Sequence, residues 1–266
     1  MAAVVPDQCV RLRSISMPSR SHPLALQVEE ELHKLKTCVA SSSLTSQMMG
    51  NALRGLGDLY NCMEELLRLP HNQQSLSHLP QKRWVEEELD GSVRLLDFCG
   101  ATRDSLVTMK ERIQDLQLAL RRRGDAAIQS KMHAYIHFGK KAQKDLKNCV
   151  RSLKQTDNRS ASSSAVNMDS ELSMVVQVLT EAKEISISLL KSILSNLFMA
   201  RSRPKASRLS LISKALQKKK VDCEEHENMS HLEALEVTIG DLETGLECLF
   251  RRLVQNRVSL LNILSL

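Results

Sequence analysis

The sequence predicts an all-α protein, a bundle of about six long antiparallel helices. Its 266 residues include only 9 glycines and 6 prolines, and aromatic residues make up 3%. Strand-rich folds need turn residues at short intervals and favour aromatic and β-branched side chains. Hydrophobic residues make up 42% of the chain, enough for a large core, and they recur at three- and four-residue steps.

The apolar pattern divides the chain into six helical segments. Pro23 suits the first turn of the first helix, because proline lacks the amide hydrogen that a first turn leaves unpaired. The serine run 41–43 interrupts that helix, and Pro70 ends the second. Residues 70–80, rich in Gln, Ser and His, are predicted to be a loop. The first predicted helix begins near residues 21–23, with Ser21 or His22 near its cap. The other predicted helices span residues 44–69, 82–122, 125–155, 169–200 and 226–264.

The same pattern indicates how the chain is organised. Residues 1–23 are predicted to be a disordered, basic Ser/Arg tail. Residues 24–155 form an N-terminal helical part, and residues 156–168 form a Ser-rich linker. Residues 169–266 form a C-terminal helical part. We expect this part to pack on 24–155 within one domain, because long helices joined by short connections bury their apolar stripes against one another.

The C-terminal helix carries a heptad pattern typical of a coiled coil. Nine of the ten a and d positions are apolar over about five heptads. Asn256 is the exception, and a single buried asparagine can fix the register of such a seam at a cost in stability. The predicted seam consists of Leu232, Leu235, Ile239, Leu242, Leu246, Leu249, Leu253, Asn256, Leu260 and Ile263.

Two arrangements fit this seam. Phe250, Val254, Val258, Leu261 and Leu264 widen the apolar stripe toward the end of the helix. A wide apolar surface favours packing inside the bundle, against the third or fifth predicted helix. The acidic half of the helix could instead receive an outside helix or pair with the basic fourth helix.

Positive charge is concentrated in one segment. The net charge is +6, but residues 201–220 hold eight basic side chains and no acid. A solvated surface is the simplest interpretation, and an anionic membrane or an acidic partner is the functional alternative. Seven aromatic residues offer few stacking platforms, so nucleic acid is not an expected partner. This basic patch consists of Arg201, Arg203, Lys205, Arg208, Lys214, Lys218, Lys219 and Lys220.

The most apolar stretch of the chain comes just before that patch. Residues 185–200 are shorter than the roughly 20 apolar residues that span a bilayer, and they include Lys191. We therefore expect a buried core helix. The alternative is a membrane-peripheral protein that docks through the apolar and basic segment 185–220.

No pattern in the sequence predicts catalysis or a cofactor. His133 and His137 lie one turn apart, and Cys223 lies near His226 and His231, but neither group supplies four metal ligands. No nucleophile lies in a recognisable catalytic context. We therefore predict no catalytic residue, no bound metal and no cofactor. The seven scattered cysteines and the absence of a signal-peptide pattern favour an intracellular location, cytoplasmic or nuclear.

Several strings in the chain, taken together and in order, resemble a plant-specific family that includes the BYPASS-related proteins. The family usually has Leu where this chain has Met17, which is a conservative difference. The strings are RSISMPSRSHP at 13–23, VEEELHKLK at 28–36, GLGDLYNCMEELLRLP at 55–70, WVEEELDGSVRLLDFCGATRDSLVTMKERIQDLQLALRRR at 84–123, ISKALQKKKVDCE at 212–224 and LFRRLVQNRVSLLNILS at 249–265.

The resemblance implies a mostly helical plant protein linked to root and shoot development. It implies no reaction, no ligand and no catalytic residue. Together with the residue patterns it favours a non-enzymatic interaction protein in developmental signalling, with protein partners and an oligomeric state that the sequence leaves open.

The N-terminal tail generates a prediction about modification. Arg11 and Arg13 each precede a serine by three residues, an arrangement that basophilic kinases prefer. Phosphates there would reverse the charge of a tail that holds three arginines. The candidate sites are Ser14, Ser16, Ser19 and Ser21. Phosphopeptide mapping across plant tissues should find these serines modified, and uniformly unmodified serines would refute the prediction.

Overall fold

The computed structural model describes residues 23–40, 44–122, 124–160, 170–198 and 223–266. Every regular element in these ranges is an α-helix, which confirms the predicted all-α class. The tail serines Ser14, Ser16, Ser19 and Ser21 lie outside the described residues, as do 201–220 and most of the predicted linker. The helices are α1 (Pro23–Ala40), α2 (Ser46–Arg68), α3 (Pro70–Ser77), α4 (Leu79–Arg121), α5 (Asp125–Ser160), α6 (Ser170–Phe198) and α7 (Cys223–Leu264).

Helix α3 lies where the sequence predicted a loop. Pro70 occupies its first turn, a position that proline tolerates, and Leu76 is completely buried in the core. Asn72 is also buried, and its Nδ2 donates to the carbonyl oxygen of Leu66 at 2.9 Å. The same carbonyl accepts from the backbone amide of Leu69 at 3.2 Å, so the Asn72 bond ties α3 to the last turn of α2. Tertiary packing therefore stabilises a helix whose polar composition suggested a loop.

The long helices are not all antiparallel neighbours. Helix α7 runs antiparallel to α4, because Lys82 donates to the carbonyl of Leu264 while Arg121 pairs with Glu233. It runs parallel to α2, since Gly245 lies against Leu53 and Gly57 lies against Cys248. The short helix α3 connects α2 to α4, and α7 packs against all three.

One apolar core includes residues from all seven helices described. Helix α2 packs against α1, α6 and α7, while α4 packs against α5, α6 and α7. Residues on both sides of the predicted linker contribute to the core. Helix α5 extends to Ser160, so the first part of the predicted linker range 156–168 is helical.

Helix α6 contains most of the apolar stretch 185–200. Within the described part of that stretch, 185–197, the buried apolar side chains are Ile185, Leu189, Leu190, Ile193, Leu194 and Leu197. None of the helices in the described ranges is both long enough and apolar enough to cross a membrane.

Close approach of α2 and α7 depends on a glycine. A Cβ atom at Gly245 would lie 3.0 Å from both Cβ and Cδ1 of Leu53. Leu53 is itself completely buried, so its side chain has little room to move.

We predict opposite effects for alanine at two helical glycines. Gly245→Ala should lower the free energy of unfolding by about 1–3 kcal/mol, because it overpacks the α2–α7 contact. Gly100→Ala, with no atom within 4 Å of the new methyl group, should raise it by about 0.5–1 kcal/mol through helix propensity. Urea unfolding followed by circular dichroism measures both values. A stabilised Gly245→Ala variant would show that the two helices are not in tight contact.

Candidate functional site

The predicted coiled-coil seam lies between α2 and α4 inside a single chain. Leu235 is half-buried, and the other nine seam residues are buried. The third predicted helix, now α4, is one neighbour as expected, but the second neighbour is α2 and not the fifth predicted helix. The seam itself is covered from two sides, because α2 and α4 both pack against α7.

Asn256, the polar member of the seam, is only 5% exposed. Its Nδ2 atom makes no hydrogen bond with any described residue. An unpaired buried donor costs about 1–3 kcal/mol. The sequence suggested that Asn256 fixes the register of the seam. In the structure this residue also leaves its Nδ2 group without a hydrogen bond to the described residues.

The acidic half of α7 pairs with basic residues of α4. Lys110 Nζ lies 2.9 Å from Glu243, Arg103 lies 3.2 Å from Glu247, and Arg121 lies 3.7 Å from Glu233. Within the described residues, the acidic half of α7 therefore pairs with α4, and not with α5, the basic fourth predicted helix. Because most of these side chains are well exposed, each pair contributes little to stability, and the row chiefly favours the antiparallel register.

Further polar bonds join α4 and α7, one group inside this row near its Glu233 end and one beyond its Glu247 end. Gln114 and Gln117 donate to the carboxylate of Glu236 and hold the pKa of that group below its usual range. Near the other end, Arg257 donates to the carbonyl oxygen of Leu89 and to Ser92 Oγ. The α4–α7 boundary is therefore defined by specific contacts over most of its length.

A small polar cluster lies where α2, α4 and α6 meet. The hydroxyls of Tyr60 and Ser186 are 3.1 Å apart and buried, and Ser186 donates to the carbonyl oxygen of Ala182. Lys183 lies 2.8 Å from Glu88, and both side chains are largely buried. Burial raises the pKa of the Tyr60 phenol above its usual range. Because Ser186 already donates to Ala182, the Tyr60 hydroxyl donates to Ser186. These contacts join α6 to α2 and to α4, so the cluster holds the three helices in register.

Cys99 of α4 is buried in the core. Burial raises the pKa of the Cys99 thiol to about 12, and the thiol lies 3.8 Å from the carbonyl oxygen of Leu246. A thiolate is the nucleophilic form, so Cys99 resembles a structural cysteine. Among the side chains described, no three or more His, Cys, Asp or Glu residues converge as metal ligands, and His133 and His137 are exposed on α5.

An exposed apolar surface lies along the outer edge of the α4–α7 boundary. Val93 of α4 is 40% exposed, and Val254, Val258 and Leu261 of α7 are 39%, 49% and 43% exposed. The Arg257–Ser92 bond brings the two helices together between Val93 and Val258. We call these four residues the valine patch.

The valine patch corrects one expectation from the sequence. Val254, Val258 and Leu261 were expected to widen the core stripe of the last helix, together with Phe250 and Leu264. Only Phe250 and Leu264 are half-buried against the core, whereas the other three residues remain open to solvent. At three- and four-residue steps they rotate away from the seam and form a second stripe.

The chain was also compared with known proteins. A family model described as Protein BPS1 matches residues 52–263, which is most of the chain. The chain belongs to this family. The match covers the seam, the α4–α7 boundary and the valine patch. Neither the curated proteins nor the solved structures gave a match to this chain.

Membership in the Protein BPS1 family confirms the resemblance drawn from the sequence strings. It identifies a plant protein of the BYPASS-related group and suggests a role in development. The family has no known biochemical function, so the match adds no reaction and no ligand to the geometry.

A substitution in the seam tests whether α7 packs within its own chain or against a second chain. Leu242→Asp would place a carboxylate where the native side chain is 1% exposed, and we expect this to unfold the monomer, because an unpaired buried charge is so costly. Val237→Asp, on the same helix but 66% exposed, is the matched control and should stay folded.

Circular dichroism and light scattering measure the two outcomes together. A Leu242→Asp chain that keeps its helicity and only loses a dimer would contradict the internal seam.

Proposed function

We propose that this chain is a non-enzymatic interaction protein of plant development, and that it binds a partner protein through the valine patch. The observation that carries the proposal is the exposure of Val254, Val258 and Leu261 on the helix whose other apolar stripe is buried. A cluster of exposed apolar side chains on the surface of a helical bundle is typical of a binding site.

The shape of the valine patch favours a helical partner. Its α7 members follow one another at four- and three-residue steps, and Val93 extends the stripe onto α4. A helix laid along this boundary would place its own apolar residues between the two rows, as in helix-in-groove recognition. The partner we propose is therefore an amphipathic helix of another intracellular protein.

Two further features support a role in binding over catalysis. The buried hydroxyls, the Lys183–Glu88 pair and Cys99 are engaged in contacts that join helices. A groove lined by Glu29, His33, Lys36 and Glu181 lies at the α1–α6 surface, but Lys36 and Glu181 already pair there at 2.7 Å. We accordingly propose no catalytic residue and no cofactor.

Docking on a membrane through 185–220, the alternative drawn from the sequence, has less support. The described apolar side chains of 185–197 that would enter a lipid surface are buried in the core or packed against it. Their withdrawal would expose the faces of α1 and α2 that pack on α6. The basic residues 201–220 lie outside the described residues, so the structure gives this alternative no contact of its own.

The test is quantitative affinity purification from plant tissue with a double variant, Val258→Asp with Leu261→Asp. Both side chains are well exposed, so the variant should keep its helicity and unfolding midpoint. It should bind the partner at least thirtyfold more weakly, or about 2 kcal/mol, as expected for a central interface residue.

Val107→Asp is the matched control, because Val107 is 43% exposed on α4 about four turns away from Val93. It should retain the partner. Identical partners for the wild type and the double variant would refute the valine patch as the binding site. Loss of a homodimer would identify the partner as a second copy of the chain.

A further inference from the structure

Helix α5 has a charged face opposite its packed face. Among its described side chains only Ala142 and Leu153 are buried, and its half-buried apolar residues lie against α4 and α6. The outward side carries six exposed side chains at three- and four-residue steps. We call this set the basic face: His133, His137, Lys140, Lys144, Lys147 and Arg151.

The basic face carries no acid of its own helix. The described carboxylate of α5, Asp145, projects to one flank, and the face extends about 27 Å along the helix axis. Lys131 lies on the packed side instead, where it pairs with Asp115 of α4 at 2.8 Å. Within the described ranges, no ion pair or side-chain hydrogen bond engages the three lysines or Arg151.

We propose that the basic face of α5 docks the protein onto an anionic membrane surface. Charge complementarity is the first argument, because a single-sign row of cations attracts phosphate headgroups and each lysine near such a surface strengthens partitioning about fivefold. The proposal is independent of the valine patch, which lies on the α4–α7 boundary.

The shape of the basic face favours a lipid surface over an acidic protein. The face is the convex side of one helix, and none of its residues lines the groove described at the α1–α6 surface. Protein partners need a matched surface, but fluid lipids can move to wherever the charges lie. Lysine suits this arrangement, because its ammonium group is a point charge on a flexible stem without the directional fork of arginine.

The composition of the basic face also indicates that its contact with the membrane is electrostatic. Most of the large apolar side chains described in α5 pack against the core, so the basic face offers mainly charge and little apolar surface for insertion. Binding should therefore depend on anionic lipid, and it should weaken steeply as salt screens the charges.

The experiment is co-sedimentation of the full chain with two kinds of vesicle, phosphatidylcholine alone and phosphatidylcholine mixed with phosphatidylserine. The wild type should bind only the mixed vesicles at about 0.1 M salt and be released at about 1 M. The triple variant Lys140→Gln, Lys144→Gln and Lys147→Gln should partition about 100-fold more weakly, because three charges are removed.

Two matched variants separate the basic face from net charge and from the segment 201–220. Lys34→Gln, Arg54→Gln and Arg83→Gln remove the same charge from exposed positions on α1, α2 and α4 and should leave binding unchanged. Lys218→Gln, Lys219→Gln and Lys220→Gln should also retain it. Circular dichroism of every variant should show wild-type helicity.

The proposal is overturned if the wild type does not bind the mixed vesicles. It is equally overturned if the α5 variant binds as well as the wild type, or if either matched variant loses binding to the same extent.

Discussion

The structure depends on the burial of one apolar seam, that of α7 between α2 and α4. Each leucine or isoleucine of the seam contributes about 1.5–3 kcal/mol relative to an exposed side chain. Helices α2 and α4 each present an apolar face that α7 covers, and α1, α5 and α6 then pack around this pair. The seam therefore fixes the position of every other long helix, including the antiparallel pairing with α4 and the parallel pairing with α2.

The residue pattern predicted most of this fold, because helical periodicity is local. The long helices were placed within a few residues, and the heptad positions of α7 were identified from spacing alone. The third predicted helix, one of the two candidate neighbours, does cover the stripe, but the contact with α2 was not predicted. The pattern of one helix shows how wide its apolar stripe is but not which helices cover it. Helix α3 was missed because Leu76 is buried by contacts far away in sequence, which local composition does not record.

The candidate surfaces were harder to predict for a related reason. The lysines of α5 are visible in the sequence, but their common outward direction follows only from the sides that α4 and α6 occupy. Val254, Val258 and Leu261 were assigned to the core because they are apolar and close to the seam. The sequence does show that these residues are rotated from the seam by about a fifth of a turn or more around the helix. Whether that rotation leaves them exposed depends on where α2 and α4 lie. The interior is occupied by helix-to-helix contacts, so both proposed sites lie on outer surfaces.

The position of α7 has a consequence for synthesis of the protein. The helix in the middle of the core is the last of the seven to leave the ribosome, after α2 and α4 have already emerged. For on the order of ten seconds the nascent chain must carry two apolar helix faces without the element that covers them. Such a chain is exposed to aggregation during translation, and its folding in the cell should depend on chaperones that bind these faces until α7 arrives.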